Sequence, residues 1–101
     1  MNKEKSASKP EPHHWWVYMI ENNRGHLYTG ITTDVERRFK EHCSNSAKSA
    51  KALRGKDPLT LKFSQMIGNR SQASKVEIWI KKQTRTTKLA IIRGQGSIPS
   101  L

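Results

Sequence analysis

Acid is scarce in this chain. Its 101 residues carry eight Asp and Glu against nineteen Lys and Arg, a formal net charge of +11. So one-sided a surface implies a polyanionic partner, and nucleic acid is the first candidate. Cysteine is nearly missing: Cys43 stands alone, which excludes an intramolecular disulfide and fits a reducing, cytoplasmic compartment. No apolar run approaches the roughly 18 residues that a membrane-spanning helix requires. No segment pairs a basic face with a broad aromatic or leucine face, so no membrane-surface role is expected. The N-terminus, MNKEKSASKPEPHH, lacks the apolar centre of a secretory signal. The patterns GxxxxGK, GxGxxG, CxxC and HExxH are also missing, leaving nucleotide-binding loops and zinc sites without support.

With 34% hydrophobic residues, the core must be small and concentrated in a few segments of one domain. Residues 1–14 read as a disordered polar tail, 15–93 as the folded domain and 94–101 as a flexible C-terminal tail. The pair His13-His14 sits at the end of the tail with no other ligand nearby.

What is present begins with WWVYMI, Trp15 to Ile20, apolar on both alternating faces as in a strand covered on two sides. Glu21 to Gly25 is a turn sequence, and His26 to Ile31 returns as the second strand of a hairpin. Loop length decides where the tyrosines point. A three-residue loop pairs Tyr18 directly with Tyr28 on one face, whereas a four-residue loop sends them to opposite faces. Sequence alone does not choose between them; an odd loop is the expectation only if both tyrosines serve one site.

The stretch Tyr28 to His42, YTGITTDVERRFKEH, turns at Gly30 and restarts as a helix. Thr33 followed by Glu36 reads as its capping box, and Val35, Phe39 and Cys43 as its buried stripe. Glu36, Arg37, Lys40 and Glu41 are expected to point to solvent. Arg38 and His42 are four apart and therefore neighbours at the margin of the stripe, a guanidinium beside an imidazole. That pair suits phosphate handling, although a snorkelling arginine and a histidine covering core surface would look the same.

Ser44 to Pro58 reads as a mobile basic loop with one helical turn around Ala50, and Lys48, Lys51, Arg54 and Lys56 are its candidate phosphate contacts. Arg37 joins them. Leu59 to Ile67 alternates as a third strand, with Leu59, Leu61 and Phe63 on one face. A helix capped by Asn69 or Ser71 buries Ala73, Val76 and Ile80. A last helix runs from about Thr84 to Arg93. Glu77, on or near the inward face, is the only acid after Asp57. It is either half of an internal salt bridge or a ligand for a hard cation.

Taken together, VY (Val17-Tyr18), YTG (Tyr28 to Gly30), the helix ERRFKEH (Glu36 to His42) and the later Glu77 resemble the GIY-YIG endonuclease superfamily, in particular its small stand-alone bacterial members. The resemblance covers roughly Trp15 to Arg93. It implies an α+β fold: a small three-stranded antiparallel sheet, made of the N-terminal hairpin and a third strand, flanked by helices. By that resemblance Tyr18, Tyr28, Arg38, His42 and Glu77 are catalytic, and Glu77 holds a single Mg²⁺ or Mn²⁺. The implied activity is hydrolysis of phosphodiester bonds in DNA, with structured or damaged DNA among the candidate substrates and RNA not separated from DNA. No obligate protein partner is expected. The first element here is VYM, the second carries Thr29 in place of isoleucine, and no asparagine follows Glu77, where many members have one. A non-catalytic basic nucleic-acid-binding module of the same fold is the alternative.

Overall fold

A computed structural model describes residues 14–101. The expected N-terminal tail lies outside the described residues except for His14. Three strands, β1 (Trp15–Glu21), β2 (Leu27–Thr32) and β3 (Thr60–Gly68), form one antiparallel sheet in the order β2-β1-β3. Helix α1 (Val35–Cys43) follows the hairpin, a short 3₁₀ turn spans Lys51–Leu53, and α2 (Arg70–Lys81) and α3 (Arg85–Ile92) close the chain. The architecture is the expected α+β one. Among the described residues no helix is long and apolar enough to cross a membrane.

The doubly apolar β1 is the central strand, and each of its faces meets a different core. Val17 and Met19 pack against Val76 and Ile80 of α2 and Ile91 of α3. Tyr18 and Ile20 point the other way, onto Leu53 with Val35 and Phe39 of α1. All four β1 residues are buried, and each side chain of this size contributes about 1.5–3 kcal/mol relative to exposure. Two cores on one strand require the alternation WWVYMI supplies.

The last pair of the hairpin is Glu21 with Leu27, so the loop Asn22–His26 has five residues. Asn22 Oδ1 accepts from the backbone N–H groups of Arg24 and His26, at 2.8 and 3.0 Å, and Gly25 takes φ +81°. The odd length puts both tyrosines on one face. They are diagonal neighbours and not a direct pair, because Tyr18 stands opposite Gly30 and Tyr28 opposite Ile20.

Three local expectations are corrected. Asp34, not Thr33, caps α1: its side chain accepts from the Arg37 N–H at 3.0 Å. Cys43 is exposed, and His42 is the α1 residue that is completely buried. The single apolar face expected of β3 is broken by a register shift between Met19 and Ile20, where Leu61 faces Ile20 and Phe63 faces Met19. An extra residue in β3 thus sends those two side chains to opposite faces. At the other end, Ile98, inside the expected flexible tail, packs against the first core.

Candidate active site

Tyr18 lies over Gly30, its partner on the edge strand β2. A Cβ on Gly30 would stand 2.5 Å from the Tyr18 hydroxyl oxygen and 2.7 Å from Cζ. The glycine of YTG is therefore required by the close approach of a neighbouring ring. Tyr28 joins from β2, its ring centroid 6.4 Å from that of Tyr18. His42 closes the group from α1, at 5.9 Å from Tyr18 and edge-on at 5.5 Å from Tyr28.

His42 is held at both ring nitrogens. Nδ1 accepts the Ala50 backbone N–H at 3.3 Å, and Nε2 lies 2.9 Å from the Tyr18 hydroxyl. A nitrogen that accepts carries no proton, so the neutral ring has its hydrogen on Nε2 and donates it to Tyr18. Burial pushes the ring pKa down to about 4, with the Arg38 charge acting in the same direction and Glu41 against it. The buried Ser49 hydroxyl adds a bond to the His42 carbonyl at 3.0 Å. Loop Ser44–Ala50 thus reaches back over α1 and seals the ring in place.

Burial also pushes the Tyr18 phenol far above its ordinary range. Tyr28 and the Glu77 charge add to this, while the Arg38 guanidinium beside the hydroxyl opposes it. Arg38 extends from the same side of α1 as His42. Its Nη1 donates to Glu41 Oε1 at 2.9 Å and to the Lys48 carbonyl at 2.6 Å.

Glu77 comes from α2, which packs against the opposite face of the sheet, yet its charge acts at Tyr18. Its one ion pair among the described residues is with Lys81 at 3.4 Å, on the same helix, with the two side chains 22% and 54% exposed. That is a surface pair of little energetic weight, not an internal salt bridge. Among the described residues no group of three His, Cys, Asp or Glu is close enough to hold a metal ion. The donor set is a single partly exposed carboxylate. That fits Mg²⁺ or Mn²⁺, hard cations that bind through one or two carboxylates and keep most of their water shell.

The remaining candidates lie on α1 and on the loop that follows it. Arg37 is exposed and bound to Glu41 Oε2 at 3.0 Å. Lys48, Lys51 and Lys56 are exposed. Arg54 is exposed too, but its guanidinium donates to the carbonyls of Ser49 and Ala47, both at 3.2 Å, so it braces the loop that covers His42. Sequence reasoning missed Glu41, Ser49 and the Ala50 amide. Only Glu41 left a signal: its spacing of three from Arg38 is that of a helical ion pair.

Comparison with known proteins shows the family. The family model described as the GIY-YIG catalytic domain matches residues 14–90. A UPF0213 protein of Vibrio campbellii is 51% identical over 84 residues, 83% of this chain and 79% of that protein. The UPF0213 protein YhbQ of Escherichia coli O127:H6 is 50% identical over 84 residues, 83% of this chain and 81% of its own length. The solution NMR structure of the UPF0213 protein BH0048 from Bacillus halodurans matches at a TM-score of 0.52 and 35% identity, covering 82% of this chain and 86% of that one.

Proposed function

The chain belongs to the GIY-YIG catalytic-domain family, and on that footing we propose that it is a cytoplasmic, divalent-metal-dependent endonuclease that hydrolyses phosphodiester bonds in DNA. One observation carries this reading. Tyr18, Tyr28, His42 and Arg38 meet on one face of the sheet.

Glu77 would hold Mg²⁺ or Mn²⁺, which when bound supplies Lewis acidity at a phosphoryl oxygen. Arg38 offers its planar fork to the non-bridging oxygens as charge rearranges. The two phenols take different roles. Tyr18 accepts the His42 Nε2 hydrogen, and burial keeps its own proton on, so it donates to phosphate and does not act as a base. Tyr28, only half-buried, is the general base that takes a proton from the attacking water. His42 holds Tyr18 in this role as a neutral donor.

The test is cleavage by the purified full chain of single-stranded, duplex, flap and junction DNA, with RNA controls, in Mg²⁺ or Mn²⁺ against EDTA. We expect metal-dependent cleavage that Glu77→Gln abolishes. DNA affinity in EDTA should stay unchanged or tighten, since one negative charge near phosphate is removed. The melting curve of the variant should barely move, because an exposed pair such as Glu77–Lys81 is worth under about 1 kcal/mol. DNA binding without cleavage of any substrate in either metal would replace this reading with the non-catalytic module.

A further inference from the structure

We infer that Glu41 is a positioning residue, one that turns Arg38 so that a single edge of its guanidinium is left for two phosphate oxygens. This rests on the phosphate role given to Arg38 above. An arginine has five N–H donors in a rigid plane, two of them on Nη1. Both Nη1 donors have partners here: Glu41 Oε1 at 2.9 Å and the Lys48 carbonyl at 2.6 Å. The other three donors, on Nε and Nη2, lie along the adjacent edge, which stands beside the Tyr18 hydroxyl and has the geometry that pairs side-on with two oxygens.

Glu41 is itself fixed. Its second oxygen accepts from Arg37 Nη1 at 3.0 Å, and only 20% of its side chain is exposed. With one carboxylate oxygen on each arginine, Glu41 cannot rotate toward one without leaving the other. The hydrogen bond from Arg38, then that from Arg37, holds its carboxyl below the usual range, so the anchor stays charged. The carboxylate therefore serves as a fixed stop. Its location is decisive: it lies on the Nη1 side of Arg38, where an incoming phosphate would otherwise find a second binding edge.

A carboxylate so close to a phosphate site weakens DNA binding by charge alone. Its removal therefore separates aim from affinity. Glu41→Gln should lower kcat by about 10–100-fold, as loss of an orienting partner does, with KM and affinity in EDTA unchanged or improved. On an Arg38→Lys background, the same change should cost nothing further, because the two residues act as one unit. Losses that multiply across the double variant, or that follow the fraction folded in thermal melts, would overturn the inference.

A second measurement needs no cleavage. In ¹H–¹⁵N spectra of the full chain in EDTA, the Arg38 Nε–H resonance should shift on titration with a phosphorothioate oligonucleotide. In Glu41→Gln that shift should shrink at least several-fold while the backbone amides of α1 keep theirs. An equal Arg38 response in both proteins, or none in the wild type, overturns the role of Glu41. Absence of cleavage by the wild type, with the Arg38 response still dependent on Glu41, overturns the nuclease reading and leaves the positioning role standing.

Discussion

A histidine with no exposed surface, His42, converts burial into pH dependence. Its folded pKa of about 4 lies below the ordinary 6.5. Between those values the unfolded chain binds a proton that the folded one refuses, so stability rises with pH through this window and is flat above it. The contribution is about 3 kcal/mol when complete. Thermal or urea unfolding between pH 4 and 7 should show that slope, and His42→Phe should remove most of it. At this scale the sequence was half legible. The spacing of four set Arg38 beside His42, and the two do share a side of the helix. Its depth was hidden, because a helical wheel describes α1 and not the loop Ser44–Ala50 that folds back over it. The same blindness exchanged the fates of His42 and Cys43, adjacent residues of which the polar one is buried.

A helix starts well where a side chain satisfies a free backbone N–H of its first turn, and α1 starts at Asp34. Asp34→Ala should therefore cost about 1 kcal/mol in urea unfolding, and Thr33→Ala should stay within about 0.5 kcal/mol. The pattern TTDVE suggested Thr33 with Glu36, and the chain's path out of β2 makes Asp34 the cap instead. That a turn joins the two strands was legible, since Gly25 and the asparagines announce it. Loop length was not: the side chain of Asn22 binds two backbone amides and widens the loop to five residues. The shift in β3 left no trace either, because one extra residue looks like ordinary alternation until its partner strand is known. Leu59, Leu61 and Phe63 were an apparent stripe that the pairing divides.

The molecule as a whole is a small sheet under a large positive charge. If six or more basic side chains reach phosphates, log affinity for duplex DNA falls with log salt at a slope of about −5 or steeper. Fluorescence anisotropy in EDTA across a salt series measures it, and Lys51→Ala should make the slope shallower by about one. Arg54→Ala should differ from it, lowering the melting point as well, since Arg54 ties two carbonyls of the covering loop. Charge was legible in composition, and individual strands and helices in their periodicity, which need no tertiary knowledge. The meeting of residues from β1, β2 and α1 was legible only through likeness to a known family.

The central place of β1 has a consequence in time. Its backbone amides lie between two strands and beneath two cores, so solvent deuterium reaches the Tyr18 amide only when the entire domain opens. Lys48 and Ala50, which hold Arg38 and His42, belong to a surface loop that can open alone. The reacting groups thus keep two clocks: the phenol of Tyr18 ages with the domain, and the guanidinium and imidazole beside it with a loop.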